Sequence, residues 1–92
     1  MQVNLYANFR LHAGVKSFNL DLPSCTNVYQ AVLRIVSQYP RLRKDWLDEN
    51  DRLNAQVLVF IDGNEVGSLP KGLDTPLQPE NVLDFLPPLA GG

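Results

Sequence analysis

Residues 26–40 read TNVYQAVLRIVSQYP. Val28, Ala31, Val32, Ile35 and Tyr39 recur three or four apart, so they fall on one stripe of a helix. Thr26 or Asn27 can cap its start, and Asn27 with Gln30 three residues on fits a capping box. Pro40 stops the run. The pattern predicts a helix over roughly 27–38, and a helix with one apolar stripe must bury it against another layer.

Outward on the N-terminal side, Val3, Leu5, Ala7 and Phe9 alternate with Gln2, Asn4, Tyr6 and Asn8. Period two with one apolar face predicts a half-buried strand. His12-Ala13-Gly14 reads as a turn, and Phe18, Leu20 and Leu22 alternate with polar neighbours in a second strand that Pro23-Ser24 ends. Two strands joined by a short glycine-containing loop suggest an antiparallel hairpin. On the C-terminal side, RLRKDWLDENDRLN (41–54) reads as a charged surface excursion, with Leu42, Trp46 and Leu47 as weak anchors of a short helical turn and Trp46 over one end of the core. Gln56 to Ile61 is rich in β-branched and aromatic residues and reads as a strand. Asp62-Gly63-Asn64 is a turn, and Glu65-Val66 begins a short return strand. A proline- and glycine-bearing loop over 67–81 holds a helical turn, and Val82 to Leu86 is the last strand. Hairpin, crossover helix and further strands predict an α+β fold: a β-grasp, ubiquitin-like mixed sheet packed on one main helix, spanning residues 1–86.

The whole chain has 92 residues, enough for one small domain. Its apolar fraction is 45% and its charged fraction 20%, ordinary values that argue against wholesale disorder. A formal charge of −2 argues against a nucleic-acid binder that works through bulk charge. The single cysteine, Cys25, and single histidine, His12, exclude an internal disulfide framework and a cysteine- or histidine-based zinc cluster. Cys25 reads as an incidental small residue and His12 as structural. No basic leader with an apolar core opens the sequence, and no apolar run reaches the roughly 18 residues of a membrane span. A cytoplasmic protein is the expectation, and the lone thiol fits a reducing compartment.

The segment after Leu86 reads PPLAGG. Pro87-Pro88 stiffens the exit from the last strand, whereas Gly91 and Gly92 accept almost any backbone angle. Residues 87–92 therefore read as a tail with a stiff base and a flexible tip, about 20 Å long when extended. Such an arm can thread a narrow channel and place a terminal carboxylate in another enzyme's active site.

With these features the sequence resembles the sulfur-carrier branch of the ubiquitin-like proteins, the MoaD/ThiS type. That branch includes the small subunit of molybdopterin synthase and its relatives in thiamine and cysteine synthesis. Tyr6-Ala7-Asn8-Phe9-Arg10 matches an aromatic–Ala–x–x–Arg segment of that family, and Leu22-Pro23 with Thr26 matches its entry into the helix. Ile61-Asp62-Gly63 stands for its Val-Asn-Gly turn, and Asp74-Thr75-Pro76-Leu77 for its loop before the last strand. Phe85, Pro87, Pro88, Gly91 and Gly92 match its terminal Phe-x-Pro-Pro-x-x-Gly-Gly. Pro79-Glu80-Asn81 and Leu11 depart from the pattern. The 41–54 excursion is longer than in thiamine-pathway carriers, which favours the molybdopterin or cysteine-synthesis type.

The resemblance implies a carrier without catalytic residues of its own. The Gly92 carboxylate, presented by Gly91, would be adenylated and converted to a thiocarboxylate that donates sulfur. The first expectation is molybdopterin synthesis, and the alternatives are cysteine or tRNA thiolation or a protein modifier conjugated through Gly92. The expected partners are an ATP-dependent adenylyltransferase and a molybdopterin synthase large subunit or other sulfur acceptor, with no nucleic acid and no membrane. ATP and Mg²⁺ would belong to the activating partner, and this chain would bind no cofactor. Strand parity turns Leu83 and Phe85 inward, because Asp84 would not be buried unpaired. Val57, Val59 and Ile61 turn inward likewise. Leu58, Phe60 and Leu86 then form an apolar patch beside Pro87 and Pro88 that suits partner binding. On family grounds Arg10 is a further partner contact, whereas Arg41, Arg43 and Lys44 read as solvated.

Overall fold

A computed structural model describes residues 1–21 and 26–88. Five strands form one sheet in the order β2-β1-β5-β3-β4: β1 (Gln2–Leu5), β2 (Ser17–Asn19), β3 (Leu58–Ile61), β4 (Asn64–Glu65) and β5 (Val82–Leu86). The central pair β1 and β5 is parallel and the other pairs are antiparallel, so the sheet is mixed. The main helix α2 (Val28–Gln38) lies against it. This is the β-grasp architecture expected from the order of elements.

Helix α2 starts where the capping pattern places it, since the Asn27 side chain accepts the Gln30 N–H at 2.9 Å. Val28, Ala31, Val32, Ile35 and Val36 are buried against Val3, Leu5, Val59, Leu83 and Phe85 of the sheet layer. Pro40 ends the helix and opens a 3-10 turn, Pro40–Leu42. Asp62 and Gly63 both have positive φ (49° and 84°), the two-residue turn that matches strand twist between β3 and β4. Asp62 also holds the start of β5, accepting the Val82 N–H at 2.9 Å and the Asn81 side-chain amide at 2.6 Å. A 3-10 turn, Gly72–Asp74, sits inside the crossing loop.

The first strand is shorter than the alternation suggests. It ends at Leu5, because Ala7 adopts φ 53°, ψ −131° and a six-residue helix, Asn8–Ala13 (α1), follows. Gly14 caps that helix in the left-handed region, its N–H donating to the Arg10 carbonyl at 2.9 Å. Ala7 is exposed and Phe9 is buried, so the apparent strand continuation is a helical turn that inserts one aromatic ring. The antiparallel pairing of β1 with β2 holds, but α1 joins them in place of a tight hairpin loop. Leu22, the end of the expected second strand, and Cys25 lie outside the described residues.

The 41–54 segment is the larger correction. A short helix, Arg43–Trp46 (α3), follows the 3-10 turn, and Leu42, Trp46 and Leu47 are all buried in the core. Trp46 is fully buried, not a cover at one end. It stacks on Phe85 at 4.3 Å and meets Phe9 edge-on at 5.6 Å. Arg41, Arg43 and Lys44 are exposed on the other side, so the charge density conceals an amphipathic turn. Asp48 ties the return, its carboxylate accepting the backbone N–H of Asn50 at 2.8 Å and of Arg52 at 3.0 Å. These backbone donors, Arg52 first, hold its carboxyl below the ordinary aspartate range. Two smaller differences complete the comparison: β3 begins at Leu58, and the return strand is Asn64–Glu65, with buried Val66 opening a 3-10 turn.

Candidate functional site

Strand β5 carries the C-terminal end of the chain out of the middle of the sheet, with ladders on both sides. Phe85 sits opposite Leu5 on β1 and Val59 on β3, and its carbonyl accepts the Tyr6 N–H at 3.2 Å. The exit is therefore held at its root by two neighbours rather than one. Leu86 ends the strand, Pro87 is half-buried and Pro88 is exposed. Gly91 and Gly92 lie outside the described residues.

Alternation along β5 separates two faces. Leu83 and Phe85 are fully buried, and Val57, Val59 and Ile61 are buried with them. Val82, Asp84 and Leu86 lie on the opposite face and are half-buried. The register places Leu58 opposite Leu86 and Phe60 opposite Asp84, so Leu58, Phe60 and Leu86 share that outer face beside the exit. All three are half-buried. Parity thus brings together the three residues expected to form an apolar patch.

Arg10 lies elsewhere. It is exposed on α1 and lines a shallow cleft of about 200 Å³ with Asn4, Tyr6, Lys16 and Ser17, on the β1 side. Tyr6 bridges the two regions. It lines the cleft with Arg10, and its hydroxyl donates to Asp84 Oδ1 at 3.2 Å. Asn4 Nδ2 donates to the same oxygen at 2.8 Å, and Gln2 Nε2 donates to Asn4 Oδ1 at 2.9 Å. Partial burial, and then the charge and hydrogen bond of Asp84, push the Tyr6 phenol above its ordinary range. Tyr6 and Asp84 were not singled out as site residues from sequence. The signal was present, because Gln2, Asn4 and Tyr6 are the polar half of the first strand's alternation.

Two contacts between charged residues lie apart from this face. His12 on α1 pairs with Asp45 on α3, and Arg43 pairs with Asp51 within its own loop. Among the described residues no three His, Cys, Asp or Glu side chains converge to hold a metal ion. No helix there is long and apolar enough to cross a membrane.

A family model described as the ThiS family matches residues 3–92. No curated protein matches the chain. Among solved structures, the small archaeal modifier protein 1 of Methanosarcina acetivorans is 29% identical, with a TM-score of 0.86 over 99% of this chain and 94% of that one. The corresponding protein of Haloferax volcanii is 22% identical, with a TM-score of 0.89 over 100% of this chain and 98% of that one. A chain of the Amycolatopsis orientalis BexX/CysO complex is 22% identical, with a TM-score of 0.77 over 99% and 98%. The match of the family model across nearly every residue, on a β-grasp sheet, means that the chain belongs to the ThiS family of ubiquitin-like sulfur carriers.

Proposed function

We propose that this chain is a sulfur carrier whose working group is the Gly92 α-carboxylate, most closely suited to molybdopterin synthesis. The observation that carries the reading is the continuity of Phe85-Leu86-Pro87-Pro88-Leu89-Ala90-Gly91-Gly92 with a central strand. The body holds the root of the arm by two ladders, and the arm narrows to two residues without side chains.

A carboxylate is ionised at neutral pH and is a poor electrophile. An activating enzyme removes that obstacle by joining the Gly92 carboxylate to the α-phosphate of ATP, with release of pyrophosphate. A hydrosulfide-equivalent donor then attacks the acyl carbon, the C–O bond to AMP breaks, and a thiocarboxylate and AMP result. The thiocarboxylate sulfur is nucleophilic and is delivered to the acceptor's substrate. On this reading the chain supplies the reacting group and the docking face, and its partners supply the catalysis, the ATP and the Mg²⁺. The long 41–54 segment favours a molybdopterin- or cysteine-synthesis-type carrier over the thiamine type and does not choose between those two.

Intact mass of the protein from its native host tests this. The expected form has one terminal oxygen replaced by sulfur. Only the unmodified mass, under conditions where the host makes thiolated cofactor, would overturn the reading. A second reading, a protein modifier, is favoured by the likeness to the small archaeal modifier proteins. It predicts Gly-Gly remnants on lysines of other host proteins.

Leu58, Phe60, Leu86, Pro87 and Pro88 form the proposed contact with partners. Phe60 is on the sheet face away from the core, so Phe60→Asp should keep the fold and lower affinity for the activating enzyme by about 10- to 100-fold. Titration calorimetry beside a thermal melt separates the outcomes. Global unfolding would show that Phe60 belongs to the core.

A further inference from the structure

Asp84 stands in the middle of the outer face. One carboxylate oxygen, Oδ1, is occupied by the Asn4 amide and the Tyr6 hydroxyl. The other, Oδ2, accepts no hydrogen bond among the described residues and is not sealed from solvent. No Lys or Arg pairs with Asp84 among the described residues, where Arg43 pairs with Asp51 and His12 contacts Asp45. Arg10 and Lys16 line the separate cleft on the β1 side.

Directly across the ladder is the Phe60 ring, with Glu65 opposite it in the next strand. Glu65 Oε2 accepts the Gly67 N–H at 2.5 Å, which turns that carboxylate toward the 3-10 turn Val66–Ser68. Facing side chains in an antiparallel pair sit close enough for one partner group to touch both. The face thus offers a half-buried carboxylate, held by two donors, across the ladder from an aromatic residue and bordered by Leu58 and Leu86. A planar cation matches that pair of features: it can stack on the ring while an N–H meets the oxygen.

We propose that Asp84 and Phe60 together form a socket for an arginine side chain of the enzyme that activates the tail, fixing the carrier's orientation on that enzyme. This rests on the sulfur-carrier reading and names a specificity contact within it. Asn4 and Tyr6 hold the carboxylate in place for the incoming guanidinium, so less side-chain freedom is lost on docking. Charge complementarity then adds to the encounter rate and rejects surfaces that present an acid at that point.

The test uses the full chain and the activating enzyme of the same host, with adenylation followed at varied carrier concentration and two ionic strengths. Asp84→Asn preserves side-chain size and an acceptor oxygen for Asn4 and Tyr6. It should raise the KM for the carrier about tenfold at low salt, with kcat within about twofold. Added salt should raise the wild-type KM toward that of the variant and leave the variant nearly unchanged. Phe60→Leu, which keeps an apolar side chain but removes the ring, should also raise the KM and reads the socket should Asp84→Asn fold poorly. Equal KM values for the two chains, or a wild-type KM indifferent to salt, would overturn the socket while leaving the carrier reading intact. Absence of wild-type adenylation at every concentration would overturn both.

Discussion

Removal of Gly92 is expected to reduce adenylation by at least about a thousandfold while shifting the thermal midpoint by less than about 2 °C. The two halves of this result have separate causes. Every buried core residue among those described lies at or before Phe85, and β5 ends at Leu86. Removing Gly92 leaves that described core intact. The chemistry is far less tolerant. Loss of one residue withdraws the carboxylate by about 3.3–3.6 Å, whereas a misplacement of about 1 Å can cost a hundredfold. Gly92→Ala keeps the carboxylate at full reach but adds a Cβ beside the reacting carboxyl, so an intermediate rate is expected. The measurement is pyrophosphate release with the activating enzyme, beside a melt of each chain. A truncated chain adenylated at the wild-type rate would move the reactive group away from Gly92.

Trp46→Ala should destabilise the domain by about 3–5 kcal/mol, which lowers the thermal midpoint by roughly 15–30 °C for a chain of this size. Trp46 is fully buried between Phe85 and Phe9, so truncation leaves a large cavity beneath the central strand. Its indole N–H is buried without a hydrogen-bond partner among the described residues. That group costs desolvation without return, so Trp46→Phe should cost much less than Trp46→Ala: it keeps an aromatic ring on Phe85 and removes the orphan donor. Urea unfolding of the three chains gives the comparison. A loss below about 1 kcal/mol for Trp46→Ala would mean that α3 is peripheral to the fold. The larger loss ties the 41–54 segment to the stability of β5, because Trp46 stacks on Phe85 of that strand.

Elements with one strong local signal were legible. Asn27, Gln30, the apolar stripe and Pro40 together specify α2, because capping and periodicity are properties of adjacent residues. The parity of β3 and β5 was equally readable: Asp84, which would not be buried unpaired, sets the inward side of β5, and Val57, Val59 and Ile61 alternate with Leu58 and Phe60 along β3. Those two strands carry Leu58, Phe60 and Leu86, so most of the proposed docking face followed from pattern. The tail motif was legible for the same reason, being contiguous in sequence.

Where local pattern and tertiary packing disagreed, packing prevailed. Phe9 falls on the odd positions of a strand, yet it reaches the core through a helical turn, because its partner is Trp46, 37 positions away in sequence. Trp46 lies among charges that describe a surface, yet its ring completes the stack on Phe85. The joining of Asn4, Tyr6 and Asp84 into one hydrogen-bonded group depends on the parallel register of β1 with β5. The sequence by itself determined the β-grasp order, the faces of its strands and the carrier's terminal motif, since each is written in neighbouring residues. The tertiary structure alone decided which distant side chains support the arm and which carboxylate stands ready beside it, since those contacts exist only after strands from opposite ends of the chain pair.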